Sequence, residues 1–508
     1  MRLDQLSSGI AGRIVGGDGS EEITEIAFDS ARVEPGTLFV CVRGMSADGH
    51  DYAPAAVDAG ATALVTDHEL DLEVPQIVVA DSRRAMGPLA ARLFGDPTRE
   101  LITVGVTGTN GKTTTAFLMR AILEASGLPC GLLGTIKQIV GGVEEEVERT
   151  TPEAVDLQRT FRRMLEAGDR ACVLEVSSHA LVLGRADAVH FDAAVFTNLT
   201  QDHLDFHADM EDYFAAKQLL FLPSTEAGVL PPRAAIVNAD DPYGARLLAG
   251  LAAPDSPPAI SFSPSGGAAD LSARDVEFDA DGSRFELIGP KRERAQRSVE
   301  LQLPGAFNVE NALAALACAH ALDLDLDDAV AALAAAPPVP GRMEPVSAGQ
   351  GFGVIVDYAH TPDSLENVLR ATRELTSNRL ICVYGCGGDR DPLKRPLMGR
   401  AGAELADLPV ITSDNPRSED PEAIISQMLD GVSEADRDRV LAEPDRRAAI
   451  RVAIGAARSG DLVLIAGKGH EQGQEFEGGR KIPFDDRVVA REELGRIATG
   501  SRPAGTGR

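Results

Sequence analysis

The sequence predicts an α/β protein of about three domains. Three observations carry that expectation. Short apolar runs recur along the whole 508-residue chain, each leading into a polar or glycine-containing turn. Between them lie stretches with apolar residues at helical spacing, so strand and helix alternate, as a mostly parallel sheet with crossover helices requires. A proline-rich segment, Pro337–Gly341 (PPVPG), interrupts the pattern before it resumes. The expected boundaries are 1–98, 99–337 and 338–508.

Thr37–Val42, Ala63–Thr66 and Gln76–Val79 read as strands of a small N-terminal α/β domain, with turns such as Ala47–Asp51 between them. The central domain opens with a strand at Leu101–Val106 and a helix at Lys112–Ala125. It continues through strands at Cys172–Val176, Ala194–Thr197 and Ala235–Asn238, which predicts a parallel sheet. An Ala-rich helix follows at Val309–Leu322, with Asn308 as a candidate N-cap. After the hinge, strands at Gly353–Asp357, Leu380–Tyr384, Pro409–Ser413 and Leu462–Ala466 predict a doubly wound, Rossmann-like third domain. In such sheets ligands collect beyond the carboxyl ends of the strands, where this chain's polar motifs stand. Ser501–Arg508 reads as a disordered tail, and no solenoid-period repeat is present.

A formal charge of −29 argues against nucleic acid or an anionic membrane as partner. The six cysteines are scattered without a CxxC pair, so neither a disulfide framework nor a zinc ribbon is expected, and Cys382 with Cys386 reads as strand-end packing. Met1–Ile10 has no basic segment followed by an apolar one, and no apolar run is long enough to span a bilayer. A cytoplasmic protein is expected.

The richest segment is Gly105–Thr115, GVTGTNGKTTT. Between a strand and a helix, Gly108, Thr109, Asn110 and Gly111 would let backbone N–H groups close on phosphate oxygens. Lys112 would meet the β/γ-phosphates, Thr113 a magnesium ion, and Thr114 the nucleotide. The strict GxxxxGK[ST] spacing fails, since Val106 stands where the first glycine belongs. A Gly/Thr-rich turn without a ligand is the plainer alternative.

Two further motifs suit a cation beside that loop. In Leu174–Leu181 (LEVSSHAL), Glu175 ends an apolar strand, where a carboxylate is costly unless paired. Thr197–His207 (TNLTQDHLDFH) offers His203 as another ligand. Its spacing matches no common zinc pattern, and oxygen-rich surroundings favour magnesium. A hydrogen-bonded loop network is the alternative. Lys217, in Tyr213–Leu220 (YFAAKQLL), reads from the residues alone as a snorkelling lysine on an amphipathic helix.

Asp414, Asn415, Pro416 and Arg417 (DNPR) follow the strand Pro409–Ser413, so they belong at a ligand-binding strand end. An arginine there calls for an anionic partner, and without one it would stand desolvated and unpaired. A simple Asx turn with a solvated Arg417 is the alternative.

Taken together, GTNGKTT, EVSSHAL, TNLTQDHLDFH, Leu303–Ala315 (LPGAFNVENALAA), GRME, Asp357–Leu365 (DYAHTPDSL) and Gly385–Asp391 (GCGGDRD) resemble the ATP-dependent muramyl peptide ligases of bacterial cell-wall synthesis, in order and over nearly the whole chain. DNPR and Gly467–Glu471 (GKGHE) resemble the members that add meso-diaminopimelate to UDP-N-acetylmuramoyl-L-alanyl-D-glutamate. The resemblance implies an acyl phosphate made from ATP and attacked by an amine, with two magnesium ions. It implies metal roles for Thr113, Glu175, His203 and Lys217, the last as a carbamate, and catalytic roles for Lys112, Lys217, His203 and Arg342. Asn308, Asn311, Arg342, Asp357 and His360 would complete the nucleotide site, with Arg342 brought in by domain closure. The N-terminal domain would bind UDP. Phe28, Ser30, Met45, Ser46 and Ala47 would serve the uridine part, and Thr150, Thr151, Ser177 and Arg185 the muramoyl peptide. Leu183 stands where relatives often carry glutamine, so one polar contact is expected to be absent or replaced. Arg390, Asp414, Asn415, Pro416, Arg417, Gly467 and Glu471 would hold the amino acid, with Arg417 on its far carboxylate.

The resemblance leaves small molecules as the partners and a monomer as the expected state. A lysine-adding relative, a folate-polyglutamate-type ligase, a P-loop phosphotransferase or motor ATPase, and a non-catalytic nucleotide-binding scaffold are the alternatives.

Overall fold

The computed structural model describes residues 1–44, 47–147, 149–204, 206–222, 230–279, 282–289 and 296–498. Met45, Ser46 and the tail Ser501–Arg508 lie outside them. The chain forms two compact units, the first built mainly from Met1–Ser272 with Asn311–Ala332, the second from Ala273–Ile288, the segment ending at Glu310, and Leu333 onward.

The first unit contains two sheets. One has five strands in the order Gly12–Val15, Gln76–Val79, Ala63–Thr66, Thr37–Val40, Glu25–Ala27. It is parallel except for Gly12–Val15, which runs antiparallel to Gln76–Val79. The other places Ile102–Thr107 between Ala171–Glu175 and Ala193–Phe196, flanked by Cys130–Leu133 on one side and by Ala234–Asn238 and Ala259–Ser263 on the other, all parallel. Apart from Ala259–Ser263, which is exposed at its start, these strands are buried on both faces, which is why they read as continuous apolar runs. The parallel expectation fails where Gln138–Val140 and Val143–Glu145 add an antiparallel meander to Cys130–Leu133, and again where Ser283–Ile288 pairs antiparallel with Gln296–Leu301. Gly141 and Gly142, at φ 56° and 79°, supply the tight turn.

The helix Lys112–Ala125 begins where the sequence predicts, directly after Gly111 at φ 84°. Gly108 is at φ 150°, and a side chain there would collide with the Thr197 hydroxyl. The expected N-cap at Asn308 is corrected. Its helix spans Ala306–Ala321, because Gly305 at φ 98° turns the chain earlier, so Asn308 lies within the first turn and its Nδ2 donates to Pro304 O at 2.8 Å.

The second unit's sheet has the order Glu344–Pro345, Gly353–Asp357, Leu462–Ala466, Leu380–Cys386, Leu408–Ser413, Leu441–Glu443. Only Glu344–Pro345 is antiparallel, and apolar clusters cover both faces. Cys382 and Cys386 are buried strand residues, as expected. Leu408–Ser413 and Leu462–Ala466 flank Leu380–Cys386 in parallel, and just past their ends Asp414 and Gly467 meet across it: a Cβ on Gly467 would lie 3.3 Å from Asp414 Oδ2.

Candidate functional site

The phosphate-type loop is held from both sides. Thr109 N–H donates to Asn198 O and Asn110 N–H to Asn198 Oδ1, each at 2.9 Å. Those two N–H groups are therefore engaged, which leaves the helix start at Gly111 to Thr114 as the anion-facing part. Lys112 Nζ curls back to Gly108 O at 2.8 Å and Thr109 O at 2.9 Å.

Lys217 corrects the reading as a snorkelling surface lysine. On the helix Met210–Gln218 it is 1 % exposed, with Nζ donating to Gly108 O at 2.8 Å and lying 4.5 Å from the centre of the Tyr213 ring. Burial, and then the charge of Lys112, push its pKa well below the ordinary lysine value.

Glu175 is fully buried at the end of Ala171–Glu175. Its Oε2 accepts from Thr113 Oγ1 at 2.9 Å and Thr135 Oγ1 at 3.0 Å, and its Oε1 from Thr135 N at 2.9 Å. Two of the four candidate metal ligands are thus in direct contact. His203, at φ 55°, has a half-exposed ring with Nε2 3.5 Å from Asp202 Oδ2 and an edge-on contact to His179 at 4.9 Å. Its loop is tied down by His207, whose Nε2 lies 2.9 Å from Ser178 Oγ.

The muramoyl-side candidates form one chain of contacts leading to Glu175. Thr150 Oγ1 lies 3.1 Å from Thr135 Oγ1, Thr151 Oγ1 donates to Glu175 O at 2.8 Å, and Ser177 N donates to Thr151 Oγ1 at 3.1 Å. Ser177 Oγ also caps the short helix Ser178–Val182. Arg185 donates to Thr151 O at 3.3 Å and pairs with Glu153 Oε1 at 2.9 Å. Leu183 is half-buried just past that short helix. On the five-stranded sheet, Phe28 packs on the core, Ser30 opens a turn capped by Asp29, and Ala47 O accepts from Gly44 N at 2.8 Å. Asn311 is buried and accepts from Thr115 Oγ1 at 3.3 Å.

In the second unit, Asp357 does cap its strand end: Oδ1 accepts from Ala359 N and Oδ2 from Met343 N, both at 2.8 Å. Burial raises its pKa even though Arg342 is near. The Arg342 guanidinium lies 4.8 Å from the Tyr358 ring centre. His360 Nδ1 is 2.8 Å from Tyr358 O, and burial lowers the pKa of its ring.

The amino-acid candidates cluster around a residue that the sequence reading passed over. Lys468 is fully buried, and its Nζ lies 3.3 Å from Asp414 Oδ1, 2.8 Å from Asn415 Oδ1 and 2.9 Å from Glu471 Oε2. Burial alone would raise Asp414, but Lys468 and Arg446 hold its carboxyl below the ordinary value. Asn415 Nδ2 donates to Glu471 Oε2 at 2.9 Å. Gly467, at φ 116°, brings the backbone past Asp414. Arg417 corrects an expectation, since it is not left unpaired: its Nε pairs with Glu475 Oε2 at 3.0 Å and its Nη1 donates to Gly388 O at 2.7 Å. Arg390, on the neighbouring loop, reaches only Asp389 O, at 3.5 Å. Asn198 and Lys468 lie inside the quoted motifs TNLTQDHLDFH and GKGHE, which was the available signal, whereas Thr135 follows the strand Cys130–Leu133 in no quoted motif.

Three segments match family descriptions: residues 22–92 "Mur ligase family, catalytic domain", 106–319 "Mur ligase middle domain", and 341–469 "Mur ligase, glutamate ligase domain". The chain is 47% identical to the UDP-N-acetylmuramoyl-L-alanyl-D-glutamate--2,6-diaminopimelate ligase of Geobacillus kaustophilus (strain HTA426), covering 97% of this chain and 99% of that one. It is likewise 47% identical to the protein of the same name from Streptomyces coelicolor (strain ATCC BAA-471 / A3(2) / M145), over 94% of this chain and 93% of that one. A solved structure of a ligase with that name superposes with a TM-score of 0.71 at 32% identity, covering 98% of this chain and 99% of that one. MurF from Acinetobacter baumannii, at 22% identity and a TM-score of 0.63, shares the fold. With sequence similarity along nearly its full length and three matching segments in order, the chain belongs to the Mur ligase family.

Proposed function

We propose that the chain adds meso-diaminopimelate to UDP-N-acetylmuramoyl-L-alanyl-D-glutamate, consuming ATP and forming ADP and phosphate, in peptidoglycan precursor synthesis. Near-full-length similarity to ligases of that name supports it. The observation that carries the choice of amino acid is the strand-end cluster of Asp414, Asn415 and Glu471 around buried Lys468, with Arg417 two residues on from Asn415 and held by Glu475. It offers carboxylates for ammonium groups and a guanidinium for a distal carboxylate.

Residues 1–98, 99–337 and 338–508 are assigned to the UDP-substrate, ATP and amino-acid parts respectively. In the reaction, a substrate carboxylate oxygen takes the γ-phosphoryl group and ADP leaves. The amine then attacks the carbonyl carbon, phosphate departs with the acyl C–O bond, and the nitrogen loses a proton. No nucleophilic side chain is needed, so positioning and charge carry the catalysis. Lys112, at the loop, neutralises the phosphates. Arg342, Asn308, Asp357 and His360 are assigned as further nucleotide contacts.

The donors suit magnesium: the Thr113 hydroxyl and Glu175 carboxylate are oxygens already in contact and buried. Thr113 and Glu175, with His203 and a Lys217 carbamate, would hold two ions. When bound, magnesium screens charge on the triphosphate and acyl phosphate. The lowered pKa of Lys217 supports carbamylation, because the neutral amine is the form that reacts with carbon dioxide.

Phosphate release with the UDP-dipeptide and each amino acid tests the reading. Turnover with meso-diaminopimelate and little with L-lysine is expected. Equal kcat/KM for both, or no ATP turnover with either, would overturn it.

A further inference from the structure

His50, in the short helical turn Gly49–Tyr52, meets Asp67 and His68, which follow the strand Ala63–Thr66 at its carboxyl end. His50 Nε2 is 3.1 Å from Asp67 Oδ1, and His68 Nδ1 is 2.6 Å from the same oxygen. One donor atom from each of the three residues lies within 4.8 Å of the others.

His50 stands between two carboxylates, with Asp48 on its Nδ1 side and Asp67 on its Nε2 side. His50 Nδ1 is 2.6 Å from Asp48 Oδ1, which fixes its proton on Nδ1, and Asp67 N–H donates to Nε2 at 3.3 Å. Nε2 therefore presents a lone pair. That lone pair accepts the Asp67 N–H and lies beside the Asp67 carboxylate, with Oδ1 3.1 Å away. The His50 side chain is only 5% exposed, so water screens the contact poorly.

We propose that His50 Nε2, Asp67 Oδ1 and His68 Nδ1 form a binding site for a borderline divalent transition-metal ion, zinc foremost, with water as a fourth ligand. Two imidazole nitrogens and one carboxylate oxygen favour zinc over magnesium. Asp48 stands as the orienting carboxylate behind the His50 ligand. Arg43 Nε, 2.9 Å from Asp67 Oδ2, occupies the oxygen turned away from the site and so favours binding through Oδ1 alone. His68 has an exposed ring, whose Nδ1 would exchange its contact with Asp67 Oδ1 for the ion. The ion would tie the turn Gly49–Tyr52 to the strand end.

The test uses full-length protein stripped with a chelator and titrated calorimetrically with zinc in magnesium-free buffer. One equivalent should bind at about micromolar Kd and raise Tm. Asp48→Asn should weaken binding by about 10- to 100-fold, His68→Ala should abolish this equivalent, and Glu175→Gln should keep it. Zinc binding unchanged in His68→Ala, loss of the equivalent in Glu175→Gln, or no binding to the unaltered protein would each overturn the proposal. If Asp48→Asn does not fold, His68→Ala decides alone, since its side chain is 55% exposed. The outcome is independent of ligase activity.

Discussion

Lys112 and Lys217 converge on one oxygen: each Nζ donates to Gly108 O at 2.8 Å. Two ammonium groups so close, one of them buried, cannot both hold their charge cheaply, and the burial of Lys217 selects it as the one that gives up its proton. Its folded pKa is depressed, so the unfolded chain binds the extra proton. In carbonate-free buffer, stability should then rise with pH from the depressed folded value up to the ordinary 10.5. Lys217→Met should remove that slope in urea denaturation and leave turnover nearly abolished. An identical pH slope in the variant would refute the assignment, and an unmodified Lys217 in the active enzyme by mass analysis would refute carbamylation.

Glu175 joins Thr113 to Thr135 at the end of a buried strand. Glu175→Gln keeps a hydrogen-bonding side chain but removes the negative charge, so the expected damage falls on cation binding. A loss of about 10²- to 10³-fold in kcat is expected, with a higher magnesium concentration needed for half-maximal rate. Normal magnesium dependence in this variant would count against a ligand role.

Local signals made much of this molecule legible. The helix Lys112–Ala125 was readable because a glycine turn and an apolar strand precede it, and the paired strand ends because parallel strands buried on both faces are written as apolar runs. Asn308 misled because the glycine turn before it, Gly305, starts the helix earlier than the apolar spacing suggests. Lys468, though inside GKGHE, and Thr135 were not singled out for another reason. Each acquires its partners from segments remote in sequence: Thr135 from Glu175, and Lys468 from Asp414 and Asn415. The resemblance named Lys217, yet its burial and its shared acceptor with Lys112 appear only once the helix Met210–Gln218 is packed against the loop.

Lys468 sets the charge balance of the amino-acid cluster. Lys468→Met would leave the buried Asp414 without its main counter-charge, at an expected cost of about 3–5 kcal/mol. In the unaltered protein Asp414 is held below 3.8, so its stabilising share is lost only as pH falls through that depressed value. In the variant, burial dominates and raises Asp414, so the deficit against the parent should shrink on acidification from about pH 7 to about pH 5. Urea denaturation at the two pH values measures this. A deficit independent of pH would show that Lys468 acts through packing alone.

If Arg417 reads the far carboxylate of the amino acid, as proposed, its pairing with Glu475 refines what its loss should do. Because Glu475 already holds Nε, the guanidinium stays oriented without substrate, and L-lysine binding does not strand a bare charge. Discrimination must then come from what a distal carboxylate adds to the Arg417–Glu475 pair, which keeps it below the 10⁴ to 10⁵ that sites with an otherwise unpaired group attain. Arg417→Ala should lower kcat/KM for meso-diaminopimelate by about 10²-fold or more, the range expected when a charge-assisted contact is truncated. It should change kcat/KM for L-lysine far less. Glu475→Gln tests the same relation from the other side: with the competing carboxylate neutralised, Arg417 should hold the distal carboxylate more tightly and the KM for meso-diaminopimelate should fall. If Arg417→Ala depresses both amino acids equally, the residue supports the loop at Gly388 and does not read the substrate.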